Sequence, residues 1–224
     1  MKKIISLLIR NVPRKYLQLF SGVGLKVVGA FYAGNAVECP VCKSHYRTFL
    51  PYGRINPRPN ALCPSCLSLE RHRLIWLFLQ TKTNFLTQKL RVLHIAPEQC
   101  FYKLFKKQSN LKYTTGDYNS PIADVHFDLH HAPFADNSFD VIFCHHVLEH
   151  VEDANQCMRE LHRMMKPGGF GIFQIPQDVN RYETYEDKTI TSEKDREIHF
   201  WQKDHVRLFG LDYKDKLEAA GFKV

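Results

Sequence analysis

Beyond Leu90 the chain alternates between two hydrophobic rhythms. Short apolar runs of strand length recur: RVLHI (91–95), LKYTTG (111–116), ADVHF (123–127), FDVIF (139–143) and FGIFQI (170–175). Between them FYKLFKK (101–107) and ANQCMRELHRMM (154–165) space their apolar residues for a helix, and Lys-Pro-Gly-Gly at 166–169 stops the second one. DYKDKLEAAGF (212–222) reads as a last helix with Gly221 just past its end, and FKV (222–224) opens another strand. Short apolar strands alternating with helices predict an α/β fold with a parallel, doubly wound, Rossmann-like sheet.

The pattern before Leu90 is different. Residues 1–20 read as an amphipathic helix, SGVG follows, and LKVVGAFYAG (25–34) is β-like. Residues 38–66 are turn-rich, with Pro40, Pro51, Pro57, Pro59 and Pro64, and LSLERHRLIWLFLQ (67–80) returns to helical spacing. The expected organisation is an N-terminal module over 1–80 and a sheet domain over 90–224. Within the second part, residues 178–209 are polar, rich in Tyr and charge, and too long for an ordinary connection. They predict a lid or substrate-binding insertion.

Composition narrows the class. At 224 residues and 44% apolar, the chain can build one main core and a small accessory module. No apolar run approaches the roughly 20 residues of a membrane span. MKKIISLLIR is too short for a secretory core and no small-residue cleavage site follows it, so the expected location is cytoplasmic. The net charge of +8 is concentrated at one end, because residues 1–75 hold twelve Lys/Arg against Glu38 and Glu70. A basic third on a near-neutral body points to nucleic acid or another anionic surface, or to a solvated basic face.

Four of the seven cysteines form two pairs, Cys39/Cys42 in CPVC and Cys63/Cys66 in CPSC. Two such knuckles supply four thiolates in the tetrahedral arrangement that Zn²⁺ prefers, and they leave no open position. The spacing therefore predicts a structural, zinc-ribbon-like site whose metal supplies most of the module's folding energy.

In a doubly wound sheet, ligands bind beyond the carboxyl ends of the strands, where strand order reverses. Each strand end here carries polar chemistry. The first has His94 and then Ala96, Pro97 and Glu98; the second has Asp117 and Tyr118; the third has Asp128 and Leu129; the fourth has Cys144, His145 and His146. A carboxylate at the second strand end can accept both bonds of a ribose diol, and one beside an apolar side chain suits an adenine ring. Either aspartate alone is equally a turn cap. Together they favour a cofactor.

With FDLHHAPFADNSFDVIFCHHVLEHVED and MKPGGFGIFQIP, the chain resembles the class I S-adenosylmethionine-dependent methyltransferases, of the type 11-like kind, from about Leu90 to Val224. NALCPSCLSLERHR, VLHIAPE and DHVRLFGLDY resemble a bacterial branch of these enzymes. The resemblance implies ribose binding at Asp117, adenine binding at Asp128 and Leu129, and methionine-side lining by His145, with His94, Ala96, Pro97, Glu98 and Tyr118 completing the cradle. Two departures stand out. The first loop, His94-Ile95-Ala96-Pro97-Glu98, has no glycine; Ala96 replaces the family's first one, and Glu98 must turn away or meet the cofactor's ammonium group. The family sheet has seven strands, whereas this chain reaches only the start of a sixth, which predicts an exposed edge or a truncated chain.

Methyl transfer to a hydroxyl or amine needs a base near the acceptor, and histidine is the usual one near neutral pH. His145, His146, His150 and His205 are the candidates. His146, Glu149 and His150, at i, i+3 and i+4, would share one helix face. Some 2′-O- and quinone-type methyltransferases carry a Glu-x-x-Glu-His metal site at this point, which this chain matches at Glu149-His150 but not at His146; the plainer reading is that both residues cap the turn. Tyr182, Tyr185, Trp201 and His205 of the insertion are candidates for gripping the acceptor. The expected activity is methyl transfer to an oxygen or nitrogen of a small molecule or glycan. RNA methylation through the basic module, and nucleic-acid binding without catalysis, are the alternatives.

Overall fold

The structure, a computed structural model, describes residues 27–53 and 57–224. The amphipathic stretch expected over residues 1–20 and the SGVG after it lie outside those residues. The described chain forms two compact units. One holds the residues up to Gln88 together with Glu98–Asn110, and the other holds Lys89–Pro97 with Leu111–Val224.

Among its described residues the first unit holds two hairpins, a helical turn at 27–30 and two longer helices. Strands β1 (Ala33–Glu38) and β2 (His45–Tyr46) pair antiparallel, as do β3 (Leu50–Tyr52) and β4 (Arg58–Leu62). The β-like reading of 25–34 is corrected, because residues 27–30 are helical and β1 starts at Ala33. The carbonyls of Val28 and Gly29 accept the amides of Phe31 and Tyr32 in local turns, so they do not join a ladder. Helix α1 (Glu70–Lys82) buries His72, Ile75, Trp76 and Leu79, the i, i+3, i+4, i+7 stripe of an amphipathic helix. Helix α2 (Gln99–Phe105) belongs to this unit, not to the sheet domain to which the sequence pattern assigned it. The reason is aromatic packing: Phe101 stacks on Phe105 at 5.0 Å, and Phe105 meets Trp76 and Phe85.

The second unit is built on the expected parallel sheet. Strands β5 (Leu90–Ile95), β6 (Leu111–Asp117), β7 (Val125–His126), β8 (Phe139–His145) and β9 (Met165–Gln174) lie in the order β7-β6-β5-β8-β9, every neighbouring pair parallel. This is the Rossmann-like sheet of the class I methyltransferase fold. The order reverses between β5 and β8, so the crevice at their carboxyl ends is the place for a ligand. β7 keeps only two of the five residues expected of it. β9 begins earlier than expected because the Lys-Pro-Gly-Gly segment is a bulge within the strand; the register jumps between Met165 and Phe170, and Gly168 takes a φ of +78°. Phe222, Lys223 and Val224 form no strand, contrary to the sequence expectation, and Phe222 packs on Phe173 and His162.

One face of this sheet presents Leu93, Ile95, Ile142 and Cys144 to helix α3 (Ala154–Met164), which buries Cys157, Met158, Leu161 and Met164 against them. Asp153 caps α3 by accepting the Gln156 amide at 2.9 Å. The alternate positions Val92, His94, Val141, Phe143 and His145 point to the other face. The insertion contains β10 (Tyr185–Glu186), α4 (Glu193–Phe200) and β11 (Arg207–Leu208), and helix α5 (Tyr213–Ala219) follows it. The two ends of the insertion meet, since the Asp178 amide donates to the Phe209 carbonyl at 2.8 Å. Among the described residues no helix is long and apolar enough to cross a membrane.

Candidate functional site

Strain marks the crevice. Ala96, just past β5, has φ +51°, and His146, just past β8, has φ +55°. An L-residue in this left-handed region costs about 1–2 kcal/mol, and such residues gather at functional sites. At Ala96 the strain explains the missing glycine: the backbone makes the turn that a glycine would make, and the Ala96 amide donates to the Gly116 carbonyl at 2.8 Å. Beside it, Gly116 lets Phe127 approach so closely that a Cβ would lie 2.4 Å from the ring.

The two aspartates both sit at strand ends and both serve their own turns. Asp117 Oδ1 accepts the amides of Asn119 and Ser120 at 2.9 and 2.8 Å. Asp128 Oδ1 accepts the His130 amide at 2.9 Å and the His130 Nδ1 proton at 2.6 Å. These bonds from His130 hold the Asp128 carboxyl below the usual carboxylate range. His130 Nε2 in turn accepts the Asp153 amide at 3.0 Å, so a single imidazole ties the third strand end to the start of α3. In each carboxylate the second oxygen, Oδ2, takes no part in these turn bonds. Tyr118 is 75% exposed and Leu129 is buried.

His94 and His145 occupy the other sheet face, fully or nearly fully buried, with ring centroids 5.9 Å apart. His94 Nδ1 lies 2.8 Å from the Tyr113 hydroxyl. Glu98 falls in the first unit, where it precedes α2 and its Oε1 lies 3.5 Å from His72 Nε2. Pro97 ends the β5 segment. Cys144 packs into the core cluster.

Past β8 the chain runs through turns, not the helix that i, i+3, i+4 spacing suggested. The contact foreseen nevertheless forms, because His146 Nδ1 lies 3.2 Å from Glu149 Oε1. Glu149 is 1% exposed. His205 comes in from the insertion, buried beside His150 with ring centroids 4.8 Å apart. Burial, with the neighbouring His150 adding to it, pushes the His205 pKa below its ordinary value. Sequence reasoning missed the residue that holds this turn. Arg207 donates to the carbonyls of Leu148 and Glu152 at 2.7 Å each, and also to Val151 and to Glu186. No local motif signals an arginine that works on carbonyls more than fifty residues away. Among the insertion's aromatics, Tyr182 donates to Asp215 at 3.0 Å, Tyr185 packs on Phe200, and Trp201 stays half exposed.

In the first unit Cys39, Cys42, Cys63 and Cys66 converge, their four sulfurs within 4.8 Å of one another. The two knuckles are copies. Cys39 N donates to Ser44 O and Cys63 N to Ser68 O, each at 2.9 Å, and the residues after Cys42 and Cys66, Lys43 and Leu67, have φ +60° and +64°. Ser68 Oγ lies 3.3 and 3.2 Å from the Cys39 and Cys66 sulfurs, and Ser44 Oγ lies 3.4 Å from Cys42. These serines were not foreseen, although the repeat C-P-x-C-x-S, present twice, announces them. Several basic residues of this unit have internal partners: Lys43 with Glu38, Arg58 with Glu70, and Arg73 over the Phe49 ring.

The family model described as a methyltransferase domain matches residues 83–173. A demethylmenaquinone methyltransferase of Lactobacillus johnsonii is 39% identical over 54 residues, covering 24% of this chain and 22% of that protein. The mitochondrial 2-methoxy-6-polyprenyl-1,4-benzoquinol methylase of Mus musculus is 29% identical over 119 residues, 47% of this chain and 36% of that protein. The chain thus spans about a third or less of the length of these relatives. Among solved structures, the [4+2]-cyclase SpnF aligns over 92% of this chain and 71% of that one, with a TM-score of 0.52 and 16% identity. That likeness shows the fold alone, and a cyclase on it is a reminder that fold does not fix reaction.

Proposed function

Because residues 83–173 are a methyltransferase domain, carried on the sheet of the class I S-adenosylmethionine-dependent methyltransferases, we propose that this protein transfers the methyl group of S-adenosylmethionine to an oxygen or nitrogen of a small molecule or glycan. The observation that carries this reading is the pair of aspartates at adjacent strand ends, each with Oδ1 committed to its own turn and Oδ2 outside those turn bonds. The residues at hand suit the cofactor: the left-handed turn at Ala96 brings backbone close without a glycine, Asp117 answers a ribose diol, and Asp128 with buried Leu129 answers an adenine edge and face. Tyr118 is the exposed neighbour of Asp117, while His94, Pro97 and His145 complete the proposed cradle; Glu98, which falls in the first unit, is left out of it.

The bound cofactor would supply an electrophilic methyl on a sulfonium that leaves as a neutral thioether. The chain's task is to align the acceptor in line with that methyl and to take its proton. His150 suits this role best, since its side chain is about a third exposed, whereas His146 faces Glu149 through Nδ1 and keeps Nε2 buried, which suits a positioning role. His145 and His205 are buried and suit lining roles. Relatives named for a menaquinone precursor and a benzoquinol support a ring-borne acceptor. RNA as the acceptor has less support, because part of the basic surface is occupied by internal ion pairs.

The four-cysteine cluster suits Zn²⁺ as a structural ion, since four thiolates close the coordination sphere. Four packed thiols stay reduced most easily in the cytoplasm, which remains our proposed location. Calorimetry with S-adenosylhomocysteine tests the main reading. We expect one site per chain, lost when Asp117 and Asp128 are both replaced by alanine; undiminished uptake by that double variant would overturn it.

A further inference from the structure

The two aspartates at the strand ends are held by different means. Asp117 Oδ1 takes two backbone amides, so the turn itself sets its orientation. Asp128 Oδ1 takes one backbone amide and one side-chain proton, both from His130. The Asp128 side chain is 54% exposed, whereas that of His130 is only 17% exposed. A carboxylate in such an open position turns easily about its last bond, because that torsion has a broad, roughly two-fold well. The imidazole bond, at 2.6 Å, singles out one oxygen and stops the two from exchanging places.

The His130 ring is itself fixed from behind. Its Nε2 accepts the Asp153 amide at 3.0 Å, and a backbone amide can only donate. Nε2 therefore carries the lone pair and Nδ1 the proton, so the bond from Nδ1 runs to a carboxylate as a donor's should. The Gln156 side-chain amide donates to the His130 carbonyl at 2.9 Å, which holds the backbone as well. Asp128, His130 and Asp153 all line one open cavity of about 540 Å³, so this chain of bonds lies at a crevice and not in the core.

We propose that His130 is a positioning residue that aims Asp128 at the exocyclic amine of the cofactor's adenine, and so makes the site prefer adenine over a 6-oxo purine. The proposal rests on the reading of Asp128 as the adenine carboxylate. With Oδ1 engaged by His130, Oδ2 accepts from the amine. A 6-oxo purine presents an oxygen at that point, so acceptor meets acceptor, and a fixed carboxylate cannot evade the repulsion. A carboxylate released from His130 can swing to the N1 proton that the 6-oxo ring carries instead. Asp117 needs no such helper, because backbone amides already fix it.

Two variants divide the imidazole's bonds between them. His130→Asn keeps a donor near the place of Nδ1 and loses the acceptor for Asp153, whereas His130→Gln keeps an acceptor near Nε2 and loses the donor to Asp128. Calorimetry on the full chain compares S-adenosylhomocysteine with S-inosylhomocysteine, which carries the 6-oxo purine. The parent should prefer the adenine ligand by at least about tenfold, His130→Asn should keep most of that preference, and His130→Gln should reduce it to about threefold or less. A role confined to joining the strand end to α3 predicts the reverse order, with His130→Asn the more damaging, and that order would overturn the proposal. With Asp128→Ala in place, His130→Gln should change the preference no further, because the imidazole acts through that carboxylate. A thermal melt of each sample reports folding; should His130→Gln fail to fold, His130→Ala also removes the donor and supplies the comparison. A parent that takes both ligands equally would overturn the adenine reading of Asp128 and this proposal together. A parent that prefers adenine, beside a donor-less variant of unchanged preference, would overturn this proposal alone.

Discussion

The four-cysteine cluster and the Glu149–His150–His205 cluster gather their polar groups by opposite routes. The first is two copies of one local turn, each spanning six residues with its own left-handed position and its own serine. The second brings residues 149 and 150 together with a residue more than fifty positions later, and an arginine from β11 braces it. Four sulfurs make a closed set, whereas two imidazoles and one carboxylate make an open one. The comparison teaches that a cluster of like groups can be written in short repeats, while a mixed cluster of acid and imidazoles is assembled from segments that only the fold brings together.

The largest effect should come from breaking the local cluster. Cys63→Ser should take bound metal from one ion per chain to none and unfold hairpins β1–β2 and β3–β4, since structural zinc contributes about 10–16 kcal/mol in small modules. Metal analysis and amide exchange over residues 33–62 check this. Retained protection without metal would mean that the two clusters do not differ as argued.

Next comes the brace of the distant cluster. Arg207→Met removes a buried cation from three carbonyls and should cost about 3–5 kcal/mol, read by chemical denaturation of the second unit. If the loss is below about 1 kcal/mol, the turn after β8 holds itself and needs no help from the insertion.

A smaller change is expected at the second strand end. Asp117→Ala should weaken S-adenosylhomocysteine binding roughly 10–100-fold through the lost diol contact, with some loosening of its own turn. Calorimetry beside a thermal melt separates the two contributions. Binding that holds while the melt shifts would make Asp117 a turn cap and nothing more.

The smallest effect concerns a surface pair that belongs to neither cluster. Glu160 accepts two bonds from Arg163 at 2.8 Å, and that bonding, against a burial penalty, lowers its pKa. The stability it contributes is present above the unfolded glutamate value of about 4.3 and is lost as pH falls through the lower folded value. Glu160→Gln should therefore cost about 0.5–1 kcal/mol at pH 7, with the gap to the parent closing in acid. A gap that is constant from pH 7 to pH 3 would reject the ion pair as its source.

Much of this protein is legible along the chain because the governing interactions are short in sequence. Two-residue alternation located β5, β6 and β8, the 3.6-residue stripe located α1 and α3, and Cys-x-x-Cys repeats located the sulfur cluster. The strand-end aspartates could be read too, since a ladder's end is a local event. Other features were decided by packing over distance. The helix 99–105 sits between two sheet strands in sequence, yet its phenylalanines stack with Trp76 and Phe85 and draw it into the first unit. Periodicity proposed a helix for 146–150, but Arg207 takes the carbonyls of the turn that forms there, and no pattern within that segment records an arginine so far downstream. The same distance hides the partnership of Glu149 with His205. A chain writes its hydrogen-bond periods locally, whereas burial of a charged group is settled only when remote segments close around it.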